Sequence, residues 1–177
     1  MKLTLELPRH ARANVWLDDA PRATYAATSY LGRTLAPIRT IEPARRLAAI
    51  ELFVPHGPSL SYALLGAELV MAESTDLEVS VSVSKEGPPL ISPLTGKLDR
   101  VSIGLPKEFA QAVLDGAART AQELGAPTQR KLLYRWAAHG FVSSSPTVFE
   151  NASAMVLRFL TLTENDLEAQ ICRILSS

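Results

Sequence analysis

Sulfur chemistry is nearly missing from this 177-residue chain, which has one cysteine, Cys172, beside three methionines. An intramolecular disulfide and a multi-cysteine metal site are thereby excluded, and the usage fits a reducing compartment, so a cytoplasmic protein is expected. Net charge is missing too: 18 basic side chains balance 18 acidic ones. No global field draws the chain to nucleic acid or to an anionic membrane, and either kind of binding would need a local patch. Long apolar runs are absent. The longest, Tyr62 to Val70, contains Glu68 and falls far short of the roughly 20 residues a membrane helix needs. The first eight residues alternate polar and apolar until Pro8 and Arg9, so they lack a signal peptide's continuous apolar core. A soluble protein without membrane association is expected. The three histidines, His10, His56 and His139, share no metal-ligand spacing, so neither metal nor cofactor is expected.

What remains is an ordinary globular composition, 47% apolar and 20% charged, sized for a single domain over 1–177. Residues 2–7 read as a strand with Leu3, Leu5 and Leu7 on one face, and a second strand fits around Val15–Leu17. Residues 22–36 give no clear period. Arg46 to Val54 reads as a strand closed by the turn cluster Pro55-His56-Gly57-Pro58. Leu60 to Ala72 is apolar on nearly all sides and reads as a buried helix capped by Ser59. Leu77, Val79, Val81 and Val83 alternate with Glu78, Ser80, Ser82 and Ser84, which marks a strand with one face on a core. A proline-rich loop over Lys85–Lys97 and a short strand over Leu98–Ile103 follow.

Pro106 then opens a helix with Phe109, Val113, Ala117 and Ala121 on one stripe and Gly125 as its stop. Lys131–Ala137 alternates as a strand, with Leu132, Tyr134 and Trp136 opposed to Leu133 and Arg135, and Ala138-His139-Gly140 reads as its closing turn. Ser145 and Pro146 start a further helix. Thr163 to Asp166 resembles a capping box ahead of a C-terminal helix over 163–176. The expected fold is α+β, a two-layer sandwich of about four strands with helices on one face. Residues 1–76 form an N-terminal part that holds strands and one buried helix.

Residues 77–160 resemble domain IV of elongation factor G, whose fold is named after the second domain of ribosomal protein five of the small subunit. The carrying residues are the strand Leu77–Val83 and Val101-Ser102-Ile103-Gly104-Leu105-Pro106-Lys107-Glu108-Phe109, close to the family's Gly-x-Ile-Pro-Lys-Glu-Tyr. Ala112-Val113-Leu114-Asp115-Gly116 matches its Ala-Val-x-x-Gly. The Gly140 turn with Ser143-Ser144-Ser145, and the Ala152–Leu160 helix, stand where the family has Asp-Gly, Asp-Ser-Ser and an alanine-rich helix. The resemblance covers about half the chain. The chain departs from the family in having no GTPase motif, since Gly96-Lys97 is followed by Leu and lacks the earlier glycine. The resemblance therefore implies a scaffold often used for RNA contact and does not imply translocation.

No complete catalytic set is present. Lys107 at the start of the Pro-Lys-Glu helix is a candidate phosphate contact, although capping alone accounts for that segment. A serine nucleophile activated by His139 has no nucleophile elbow to support it, and the serines fit helix capping better. Asp18-Asp19 fits a turn, and Cys172 fits burial as a small hydrophobe. The first 46 residues are rich in arginine: Arg9, Arg12, Arg22, Arg33, Arg39, Arg45 and Arg46. If they share a face they form an anion- or RNA-binding patch, and Arg9, Arg12, Arg45, Arg46 and Lys107 are its candidate contacts. The expected function is a non-catalytic binding module that contacts RNA, the ribosome or a protein partner. The alternatives are an oligomer-forming structural protein, with Leu60–Met71 and the last helix at its interface, and a small-molecule enzyme whose site involves the N-terminal part.

Overall fold

The structure, a computed structural model, describes residues 1–176. Its strands are β1 (Lys2–Glu6), β2 (Arg12–Leu17), β3 (Ser29–Leu35), β4 (Leu47–His56), β5 (Ser59–Met71), β6 (Leu77–Val83), β7 (Val101–Ile103) and β8 (Arg130–Gly140). The helices are α1 (Lys107–Leu124), α2 (Pro146–Phe159) and α3 (Leu167–Leu175). The fold is α+β, and the sheet has eight strands where about four were expected. Its order is β1-β2-β4-β5-β8-β6-β3, with β7 paired to the far half of β8. Every pairing is antiparallel except β6 with β8, which α1 connects. No helix among the described residues is long and apolar enough to cross a membrane.

The extra width comes mainly from the N-terminal part. The segment expected as a buried helix, Leu60–Ala72, is the thirteen-residue central strand β5. A short run that is apolar on all sides suits a strand buried on both faces as well as it suits a buried helix. The hairpin decides the matter: Gly57-Pro58 joins β4 to β5 as a two-residue loop with Gly57 at φ 61°, and Leu47 to His56 then pair in register with Glu68 to Ser59. Tyr62 to Ala67 are all interior, while Met71 at the end of the strand is exposed.

β8 also departs from strict alternation. Between the pairs Ala67–Tyr134 and Gly66–Trp136 the register slips by one residue, leaving Arg135 as a bulge. Leu132 and Tyr134 face the helices, while Trp136 turns to the opposite face against Gly66. The strand then continues through Gly140, so the turn expected at 138–140 falls instead at 141–143. The capping-box residues Thr163–Asp166 form a loop. Asp166 stands at the α3 N-cap in the left-handed region, φ 53°, with no side-chain cap bond. Ser145, by contrast, does cap α2, accepting from the Val148 amide.

The main core lies between the sheet and the helices. It takes Leu5, Val15, Ile50, Leu65, Val79 and Tyr134 from successive strands and Phe109, Val113, Phe149 and Val156 from α1 and α2. Phe109 stacks on Phe149 at 4.9 Å. The other face of the sheet carries a smaller cluster of Ala23, Phe53, Tyr62, Leu64, Val101 and Ala138. Two irregular segments cross that face. Thr24 bridges to Trp136, and Leu90 and Leu94 from the 85–100 loop pack on the small cluster.

Candidate functional site

The arginines of the first 46 residues divide between the two ends of the sheet. Arg12 pairs with Phe53 in the β2–β4 ladder and Arg46 immediately precedes Leu47. Seven residues of strand separate those levels, roughly 20 Å at the usual rise. Arg9 lies in the β1–β2 connection and Arg12 opens β2, where it donates to the Leu94 carbonyl at 2.6 Å and lies 5.3 Å from the Phe53 ring centre. Arg33 pairs with Asp115, and Arg39 donates to the Leu124 carbonyl. Lys107 is exposed at the first turn of α1.

Arg45 and Arg46 are brought together, and a third arginine joins them. Arg45, Arg46 and Arg130 line a hollow of about 440 Å³ with Pro43, Ala44, Leu69, Val70 and Met71, and no carboxylate among the described residues lines it. Arg130 was not expected here. It enters because β8 begins opposite Met71, the last residue of β5, a pairing that only the strand reading of 59–71 provides. Arg45 is the anchored member, with a side chain 10% exposed. Its Nε donates to the Leu162 carbonyl at 3.2 Å, Nη1 faces Asp18 at 3.3 Å, and its buried Nη2 has no hydrogen-bond partner among the described residues. Arg46 and Arg130 have no carboxylate partner among the described residues; Arg130 contacts the Met71 sulfur and the Gln129 carbonyl. The hollow thus holds two guanidinium groups without counter-charge beside one that is held in place.

Asp18 organises this end. It sits in a turn at φ 51°, and its Oδ1 accepts from the Arg46 amide at 2.9 Å. Partial burial pushes its carboxyl up, but hydrogen bonds from the Arg46 amide, the Arg45 guanidinium and the Leu47 amide outweigh this and hold it below its ordinary 3.8. A depressed folded-state value gives a stability contribution that is complete above the unfolded value and is lost as pH falls through the folded one. Asp18→Asn is therefore expected to flatten the acid limb of the stability curve below about pH 4. Urea midpoints across that range check it, and an unchanged slope would contradict the role given to Asp18.

A second polar constellation lies on the open face of the sheet. Glu51 is 4% exposed. Its Oε2 accepts from Asn14 Nδ2 at 2.8 Å, and its Oε1 accepts from the Tyr62 hydroxyl at 3.0 Å and the Leu94 amide at 2.8 Å. Burial, reinforced by the charge and hydrogen bond of Glu51 and by Asp99, pushes the Tyr62 phenol well above its ordinary value, so it stays a donor. Nothing in the spacing of Asn14, Glu51 and Tyr62 announces this network. Their shared face emerges only from the β2–β4–β5 register, in which Asn14 lies opposite Glu51.

The remaining sequence candidates are engaged structurally. His139 Nδ1 meets the Gly104 carbonyl at 3.0 Å, and a carbonyl only accepts, so that nitrogen carries the proton. Ser143 donates to Asp99, Ser144 donates to the Tyr62 carbonyl at 2.6 Å, and Ser145 caps α2. None of these three hydroxyls is bonded to His139. Cys172 packs at the edge of the main core. No protein-family model matches the chain, and neither does any curated protein.

Proposed function

We propose that the protein is a non-catalytic, cytoplasmic binding module built on an elongation factor G domain IV-like scaffold over residues 77–160, and that it contacts single-stranded RNA through phosphate groups. The scaffold reading is supported by the parallel β6–β8 pair with α1 between them and α2 alongside. The binding reading rests on one observation, the hollow in which Arg45, Arg46 and Arg130 converge with no carboxylate among the described residues in its lining. A guanidinium offers a planar fork of donors matched to phosphate oxygens, and its charge persists at any physiological pH. Arg45, tied to Asp18 and Leu162, fixes the wall. Arg46 and Arg130 supply the free charge. Arg9, Arg12 and Lys107 lie too far away to share one phosphate and would meet other parts of a long ligand.

Fluorescence anisotropy with a short labelled single-stranded RNA tests this. Binding should weaken as salt rises from about 50 to 200 mM. Arg46→Ala with Arg130→Ala should weaken it further and lower the salt slope by about 1.4, at roughly 0.7 per lost phosphate contact on a single strand. No binding at the lower salt would remove the RNA reading. Equal affinity and slope in the double variant would move the contact away from the hollow.

A further inference from the structure

The second hollow on the open face carries an inference independent of RNA. A cleft of about 430 Å³ opens between the 19–22 segment and the 90–92 segment. Glu51 and Asn14 lie at its base, Trp16 and Leu64 give it apolar surface, and Lys2 and Arg22 stand at its rim. Its size falls within the range of small-molecule sites.

The charges in it are unbalanced in a specific way. All three hydrogen bonds to Glu51 come from neutral donors, and no ion pair involves it among the described residues. Oε2 has a single partner and retains acceptor capacity. A buried carboxylate without a cation is costly, and a ligand ammonium would supply the missing counter-charge. The rim has the opposite need. Arg22 is exposed and has no carboxylate partner among the described residues, while Lys2 is held 5.1 Å from the Trp16 ring centre. Asp19, the other acid of the cleft, is already set against the amino terminus of Met1 at 3.7 Å. Acid at the base, base at the rim and apolar side chains between them describe a small zwitterion with an apolar body.

We infer that this cleft binds a free apolar α-amino acid, with its ammonium on Glu51, its carboxylate toward Arg22 and its side chain against Trp16 and Leu64. Titration calorimetry with L-phenylalanine and L-leucine, paired with tryptophan fluorescence to follow Trp16, tests it on the intact chain. Saturable binding is expected, with dissociation constants in the millimolar range or below. N-acetyl-L-phenylalanine, which lacks the ammonium, and L-phenylalaninamide, which lacks the carboxylate, should each bind at least about tenfold more weakly. Glu51→Gln should lose about tenfold or more. Because Glu51 is also structural, Arg22→Glu serves as a second variant. Arg22 is exposed, so this change should leave the thermal midpoint in place and weaken binding by a similar factor. No saturable binding of either amino acid by about 10 mM would overturn the inference. So would N-acetyl-L-phenylalanine binding as tightly as the free amino acid. Arg46→Ala with Arg130→Ala should leave amino-acid affinity unchanged, so the two sites fail or stand separately.

Discussion

Replacing Gly116 by alanine is expected to destabilise the protein by about 2–3 kcal/mol, although the same change inside an exposed helix stabilises by roughly 0.5–1 kcal/mol. Gly116 is buried in the middle of α1, where that helix crosses α2. A Cβ there would run into the Glu150 carbonyl oxygen, with the Glu150 carbonyl carbon at 3.0 Å and its Cα at 3.1 Å. These are backbone atoms of a helix and cannot swing aside, so the helices must separate. Separation is resisted one turn away. Ser153 donates to the Val113 carbonyl at 2.7 Å and meets the Tyr134 hydroxyl at 2.8 Å, tying α1, α2 and β8 together. The stack of Phe109 on Phe149 would loosen as well. Urea denaturation followed by circular dichroism reads the effect. A stabilised Gly116→Ala protein would mean that the helices are not held at this distance.

That glycine is half legible in the sequence. The Ala-Val-x-x-Gly pattern marks it, but only the packing of α1 on α2 says why no side chain is tolerated. The same division runs through the fold. Strict alternation at Leu77–Val83 and the apolar stripe of Phe109, Val113, Ala117 and Ala121 fixed β6 and α1 correctly, because each has one buried face and one wetter one. β5 has no such contrast. With β4 on one side and β8 on the other, and covered above and below, it needs no polar period, and its alanines and leucines favour a helix locally. The Pro-His-Gly-Pro turn was the readable clue, since a two-residue hairpin loop commits the next segment to pairing with β4. The bulge at Arg135 had no local signal. Arg45 and Arg46 could be singled out as adjacent charges, but their companion Arg130 is 84 residues further on and arrives only through the β5–β8 ladder. Asn14, Glu51 and Tyr62 are likewise joined by register alone.

Glu51→Ala should produce the largest effect of any polar substitution, about 3–4 kcal/mol, because it removes one acceptor group and strands three donors. The Tyr62 hydroxyl and the Leu94 amide both lose their partner on Oε1, and Asn14 Nδ2 loses Oε2. Each stranded donor costs about 1–3 kcal/mol when buried, with the lower figure fitting Asn14, which borders the cleft and can take water. The Leu94 bond also fastens the 85–100 loop over the small apolar cluster of Phe53, Tyr62 and Leu64. Losing it should raise amide exchange across that loop more than in α1. Tyr62→Phe discriminates between a network and a mere space filler. It deletes one donor and leaves Glu51 Oε1 bonded to Leu94, so about 1 kcal/mol is expected. Combining the two changes should then cost less than the sum of the single effects, since Tyr62→Phe removes a donor that Glu51→Ala would otherwise strand. Additive effects, or a loss below about 1 kcal/mol for Glu51→Ala, would show that the carboxylate does not hold this face of the sheet to its loop.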